Sequence, residues 1–253
     1  GDNSSRDRTL DFAMRPEQKI AVNKAASHFK DFKQKEKDKT PHFLWNAKMR
    51  FGKTFTAYQL ALEMGWAKIL VLTFKPAVQS AWEEDLNTHV DFKGWQFISN
   101  NSLQFDDADE SKPFVCFGSF QDYLGKNKST GGIKHKNEWV HLTDWDCVIF
   151  DEYHYGAWRE KSKDLFAGED SEVDMDMGDV KEFDEDILPI TTKHYLYLSG
   201  TPFRAIESGE FIEEQIFNWT YSDEQRAKEE WQGNDNPYAS LPGMVMMTYK
   251  MPD

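Results

Sequence analysis

The sequence predicts an α/β fold, a mostly parallel sheet with helices on both faces. Short, wholly apolar runs such as Ile69-Leu70-Val71-Leu72 and Val148-Ile149-Phe150 alternate with segments of helical periodicity. Strands covered on both faces lose the in–out alternation of a half-solvated sheet, so unbroken apolar runs point to a sandwiched sheet. Three of these runs also end in small, hydroxyl or acidic residues, at Ala47, Asp151 and Ser199, which is how strand ends that meet a ligand are built.

The elements follow in order. Residues 1–13 are polar, lack the apolar stretch of a secretory signal, and are expected to be a disordered or tag-derived start. Pro16 opens a helix with Ile20, Ala21, Ala25 and Phe29 on one side, and residues 30–40 form a charged connector. A strand over 42–45 leads into a turn at 47–54 and a helix to about residue 64. Strands over 69–72, 96–99 and 114–117 are separated by a helix over 76–89, and a short helix covers 119–124. Residues 125–136, rich in Gly, Ser, Lys and Asn, form a loop. Strands at 148–150 and 195–198 run into Asp151 and Ser199. Helices are expected over 207–217 and 222–231, the second started by a Ser222–Gln225 capping box, and residues 243–249 form a strand or linker.

Composition narrows the class. No apolar run approaches the ~20 residues of a membrane span, so the chain is expected to be soluble and cytoplasmic. Cys116 and Cys147 lie inside apolar runs and fit buried free thiols. A formal net charge of −14 excludes a simple basic module that neutralises phosphates with clustered Lys and Arg. Ten acidic side chains crowd residues 169–186, within an expected acidic insertion at about 160–188 that forms a solvated loop. The seven histidines lack ligand spacing, so no zinc site is expected. The aromatics Trp219, Tyr221 and Trp231 fit packing better than base stacking.

The turn Ala47-Lys48-Met49-Arg50-Phe51-Gly52-Lys53-Thr54 sits between a strand and a helix, the context of a phosphate-binding loop. Its backbone N–H groups and the following helix N-terminus face an anion. Lys53 reaches the β- and γ-phosphates of ATP, and the Thr54 hydroxyl joins a Mg²⁺ shell. Asp151, at a strand end, holds Mg²⁺ through water, while Glu152 orients or deprotonates the attacking water. Ser199 and Thr201, at a third strand end, sense the γ-phosphate region through Glu152 or His154.

Taken together, these elements resemble motifs I, II and III of the superfamily 2 helicases, with Asp151 to His154 in the DExH form. Arg15-Pro16-Glu17-Gln18 resembles the adenine-reading Arg-Pro-x-Gln element, its Gln18 amide offered to the base. Thr73-Phe74-Lys75-Pro76 with Gln79 and Trp82 resembles motif Ia, and Gly118-Ser119-Phe120-Gln121 motif Ib. The resemblance implies that Thr73, Lys75, Pro76, Gln79, Ser119 and Gln121 touch nucleic acid. Motif I and residues 201–221 are most similar to the type III restriction Res-subunit branch. Met49 and Arg50 depart from it, standing where Thr-Gly is usual.

The resemblance implies a RecA-like P-loop NTPase domain over 14–206, with 207–253 leading toward a second RecA-like domain. Motifs IV to VI do not follow Thr201, so the chain is expected to be the first half of a two-domain motor. The implied function is an ATP-dependent DNA helicase or translocase of a restriction-type or phage-related system, with a nuclease or methyltransferase as partner activity. The alternatives are an RNA helicase and a P-loop enzyme acting on a small molecule or protein.

Overall fold

The computed structural model describes residues 8–73, 76–124, 137–153, 190–200 and 211–241. The expected 125–136 loop, the acidic insertion and the 243–249 strand or linker lie outside them.

Helix α1 spans Pro16–Lys35, with Pro at its first turn, Glu17 near its N-terminus, and Lys33 and Lys35 near its C-terminus. It therefore runs into the stretch expected to be a connector. Its buried side is Ala21, Val22, Ala25, Ala26 and Phe29, whereas Ile20 is 48% exposed. The apolar stripe is centred one position later than expected, because the alanine pairs and Phe29 form the face that packs on the next helix and strand.

Strand β1 (His42–Ala47) leads into helix α2 (Lys53–Met64), which ends at Gly65 in the left-handed region. Strand β2 (Lys68–Thr73) is followed by a 3₁₀ turn, Pro76–Val78, and helix α3 (Gln79–Thr88). Strands β3 (Gln96–Ile98) and β4 (Phe114–Ser119) precede the short helices α4 (Phe120–Leu124) and α5 (Glu138–Leu142). Next come β5 (Asp144–Trp145) and β6 (Cys147–Phe150), then β7 (Thr191–Thr192) and β8 (Tyr195–Ser199). Strand β9 (Ile216–Trp219) and helix α6 (Tyr221–Glu230) complete the described elements.

Seven strands form one sheet in the order β3-β4-β2-β6-β8-β1-β9, every pair parallel. β5 and β7 pair separately. Alternation along each strand divides the apolar side chains between two cores. Phe43, Trp45, Ile69, Val71, Ile149 and Leu198 join α1, α2 and α3 on one face. Leu44, Leu70, Leu72, Val148, Phe150 and Tyr197 join α4 and α5 on the other. Each such side chain contributes roughly 1.5–3 kcal/mol by burial. Cys116 and Cys147 are buried and free, as expected.

Two regions differ from expectation. Residues 8–12, though largely exposed, are hydrogen-bonded to the end of α3. The Thr9 and Leu10 N–H groups both donate to Thr88 O at 3.0 Å, and Val90 N–H donates to Leu10 O at 2.8 Å. Arg8 Nε donates to Leu86 O at 3.1 Å, so a cation caps the carbonyl end of α3. The Phe12 ring lies 4.8 Å from Phe55 and 4.7 Å from His89.

The second region is the stretch expected to be helical through residue 217, where residues 216–219 form a strand instead. Ile216 and Phe217 alternate into the two cores, and β1 supplies the pairing edge. α6 starts one residue earlier than expected because the capping box is Thr220 with Asp223. Thr220 N–H donates to Asp223 Oδ2 at 2.9 Å, and Asp223 N–H to Thr220 Oγ1 at 3.2 Å.

Candidate active site

Parallel pairing brings the C-terminal ends of β1, β2, β4, β6 and β8 to one rim: Thr73 registers with Ser119, Leu72 with Phe150 and Asn46 with Ser199. From Ala47 the chain turns back toward α2 through two left-handed residues, Arg50 (φ 68°) and Gly52 (φ 79°). Gly52 is required twice over, by its φ and because a β-carbon there would stand 2.7 Å from Gln18 Nε2. Arg50 takes the same backbone region without that freedom, at a cost of about 1 kcal/mol. Thr56 ties the turn to the helix, its N–H and hydroxyl both donating to Gly52 O.

Lys53 Nζ donates to Ala47 O at 2.7 Å and lies 3.9 Å from where a Gly200 β-carbon would stand. Burial lowers the Lys53 pKa, and the fields of Glu152 and Asp151 oppose that shift. The ammonium therefore feels the field of both carboxylates, and its direct hydrogen bond is to Ala47 O at the end of β1.

Asp151 is 6% exposed. Its Oδ2 accepts from the Trp82 indole Nε1–H at 2.7 Å and its Oδ1 from Glu152 N–H at 2.8 Å. Burial raises its pKa, and the indole hydrogen bond pulls the other way. Glu152 is left-handed, with φ 53°, so the chain swings off β6 there, and Tyr153 N–H rejoins β8 at Leu198 O, 2.8 Å away. Trp82, placed by sequence only in motif Ia, is thus the anchor of Asp151. The signal available was that a buried indole needs an acceptor.

The Arg-Pro-x-Gln element touches the phosphate loop directly. Arg15 Nη2 donates to Arg50 O at 3.1 Å and to Phe51 O at 2.8 Å, and Gln18 Nε2 donates to Phe51 O at 2.8 Å. Gln18 Oε1 accepts Arg15 N–H at 2.8 Å, and the side chain is buried. Each end of the Gln18 amide is thus engaged once within the domain.

Lys48 enters the loop through its backbone. Its ammonium pairs with Glu224 Oε2 at 2.9 Å, both side chains are buried, and it sits 4.3 Å over the Tyr221 ring. The side chain is a strut, and only the backbone of Lys48 belongs to the loop. Met49 is 73% exposed at the tip.

Thr73 is fully buried, so its side chain does not face a nucleic acid as expected. The Ser119 hydroxyl accepts Asp122 N–H at 3.0 Å and caps α4. Gln79 Nε2 donates to Ser99 Oγ at 2.9 Å, while Gln121 is exposed. Ser199 is buried at the end of β8. Lys75, the side chain of Pro76, His154 and Thr201 lie outside the described residues.

Among the described residues no three His, Cys, Asp or Glu form a metal cage. The oxygens present fit Mg²⁺ of the kind that arrives on phosphates and takes one or two protein ligands. Each Asp151 oxygen accepts one hydrogen bond and keeps lone-pair capacity, and Thr54 opens α2 beside Lys53.

A family profile described as type III restriction enzyme, res subunit, matches residues 11–204. The chain belongs to that family. A putative type II restriction enzyme and methyltransferase (RM.MpnORF110P C-terminus) of Mycoplasma pneumoniae is 36% identical over 208 residues, 74% of this chain. The chain spans 29% of that relative's length. The SWI2/SNF2 ATPase core of Sulfolobus solfataricus in complex with double-stranded DNA is similar at a TM-score of 0.53 and 12% identity, over 88% of this chain and 47% of that one. A nuclease-deletion mutant of the Type ISP restriction-modification enzyme LlaGI, in complex with a DNA substrate mimic, matches at 0.53 and 14%, over 87% and 21%. The expected RecA-like helicase-core fold is thereby borne out for this res-subunit domain, and its class is that of the helicase-like ATPases. No helix among the described residues is long and apolar enough to cross a membrane.

Proposed function

We propose that this res-subunit domain is the first lobe of an ATP-driven DNA translocase or helicase in a restriction-type system. The observation that carries the proposal is the meeting of Lys53, Asp151 and Glu152 at one rim, beside a turn whose left-handed residues shape a phosphate cradle. Restriction-type relatives and helicase-core folds support the choice of DNA over RNA.

In this mechanism the Lys53 ammonium leaves Ala47 O for the β- and γ-phosphates of ATP. Bound Mg²⁺ supplies charge neutralisation at those phosphates, with Thr54 and Asp151 as the residues that hold it. Trp82 keeps the Asp151 carboxylate oriented and favours its ionised form. Glu152 takes the proton of the attacking water. The turn at Ser199 and Gly200, next to Lys53, passes the state of the γ-phosphate to a second lobe. An arginine from that lobe would supply charge stabilisation worth ~10³–10⁵ in rate, so this lobe alone turns over slowly.

The test is Mg·ATP binding by calorimetry to the wild-type chain and to Lys53→Ala. We expect the substitution to weaken binding by about 100-fold or more with an unchanged circular-dichroism melt. Equal affinity in the two proteins refutes the proposal, as does ATPase activity of the parent protein that no DNA stimulates.

A further inference from the structure

Two contact chains leave the phosphate loop and end on the same segment, residues 219–241, outside the matched family region. The first starts at Lys48, whose N–H donates to Trp219 O at 3.0 Å and whose ammonium pairs with buried Glu224 at 2.9 Å. The second starts at the loop carbonyls of Arg50 and Phe51, which accept from Arg15. Arg15 Nε pairs with Glu17 Oε1 at 2.5 Å, and Glu17 Oε2 accepts the Tyr238 hydroxyl at 2.7 Å. Glu17 and Tyr238 are both buried, so neither group has water as a substitute partner.

The arm is held to itself as a unit. Asn236 Nδ2 donates to Lys228 O at 3.0 Å, Lys228 Nζ donates to Leu241 O at 2.9 Å, and Tyr238 N–H donates to Asn236 Oδ1 at 2.9 Å. The 3.0 Å Asn46–Asn218 side-chain bond adds a link just upstream. A shift of α6 or of Tyr238 therefore reaches the loop at its first residue through Lys48 and at its tip through Arg15. Within the loop itself, Lys48 Nζ also donates to Met49 O at 3.0 Å and Phe51 N–H to Lys48 O at 3.2 Å, and Gln18 Nε2 shares the Phe51 carbonyl with Arg15 at 2.8 Å.

We propose that Glu224 and Tyr238 are positioning residues of the phosphate loop, and that the 219–241 arm sets the loop's geometry from both sides. This deepens the nucleotide reading above but is tested apart from it.

Native-state hydrogen exchange on the wild-type chain, Tyr238→Phe, Glu224→Gln, Arg15→Ala and the Tyr238→Phe/Arg15→Ala double variant decides it. Tyr238→Phe keeps the ring and removes one hydroxyl, so the fold is retained. We expect exchange at the Phe51 amide, which donates to Lys48 O at 3.2 Å, to rise about tenfold, the factor for one lost hydrogen bond, with β4 amides unchanged. In the Arg15→Ala background, Tyr238→Phe should then add nothing, because the path is already cut. Glu224→Gln should act on the Lys48 side of the turn. Unchanged loop exchange in Tyr238→Phe, or a rise shared equally by the loop and β4, overturns the proposal. Affinity for Mg·ADP is measured on the same proteins. A wild-type chain that binds no nucleotide overturns the function above while exchange still decides the brace.

Discussion

The two ends of the rim are built differently. Around β1, β8 and β9 the polar contacts join residues far apart in the chain: Glu17 to Tyr238, Asn46 to Asn218, Lys48 to Glu224. Around β3 and β4 they are largely local. Ser99 bonds Ser102, Gln96 bonds the Asp109 backbone, Ser119 caps Asp122, and the Tyr123 hydroxyl returns to Phe117 O. The phosphate-loop end is therefore set only once the whole domain has closed, whereas the other end is organised by its own loops. A surface that grips a long polymer can adjust loop by loop, while a pocket for a triphosphate needs fixed distances.

The largest effect should come from Glu224→Ala, which leaves the Lys48 charge buried without its partner. Denaturant unfolding should show a loss of about 3–5 kcal/mol. A loss under about 1 kcal/mol would remove the contrast between the two ends.

Acid should act next, at the opposite, N-terminal edge of the same strands. His42 and His194 flank β1 and β8, and burial lowers both pKa values to about 4. His194 Nδ1 is 2.7 Å from Asp146 O and His42 Nδ1 is 2.7 Å from the Tyr197 hydroxyl. Folded pKa values below the unfolded 6.5 mean that their stabilisation is complete above pH 6.5 and is lost as pH falls toward 4. Each can withdraw up to about 3 kcal/mol, read as a falling melting temperature across that window. A flat profile between pH 6.5 and 4.5 would contradict this.

At the β4 end, Gly118→Ala places a β-carbon 2.0 Å from the Tyr123 ring. The ring must move, and a destabilisation of about 1–3 kcal/mol is expected by thermal melting. Gln79→Ala should cost the least, about 1 kcal/mol or below, because it removes a single part-buried hydrogen bond to Ser99. If Gln79→Ala costs as much as Glu224→Ala, the local end is as tightly coupled as the other.

Strand and helix order was legible because wholly apolar runs alternating with helical periodicity have few other solutions. The turn between β1 and α2 and the place of Asp151 at the end of β6 were legible for the same local reason: the elements follow one another in sequence. What sequence did not disclose depends on distant partners. Gln18 looked free to read a base, yet Phe51 O stands 2.8 Å from its Nε2. Lys48 could be placed in the loop from sequence, but its buried partner Glu224, brought by α6, could not. Residues 216–219 read as the end of a helix because local spacing does not reveal that β1 has an open edge beside it. Thr73 was placed at the right rim, but its side chain points into the fold.

The indole of Trp82, hydrogen-bonded to the Asp151 carboxylate at 2.7 Å, also makes the site visible to light. A cation or proton arriving at that carboxylate changes the field on the indole N–H, and hence the colour and yield of its emission. Subtracting the spectrum of Trp82→Phe removes the other tryptophans and leaves an optical reporter placed at the acid itself, with no dye attached.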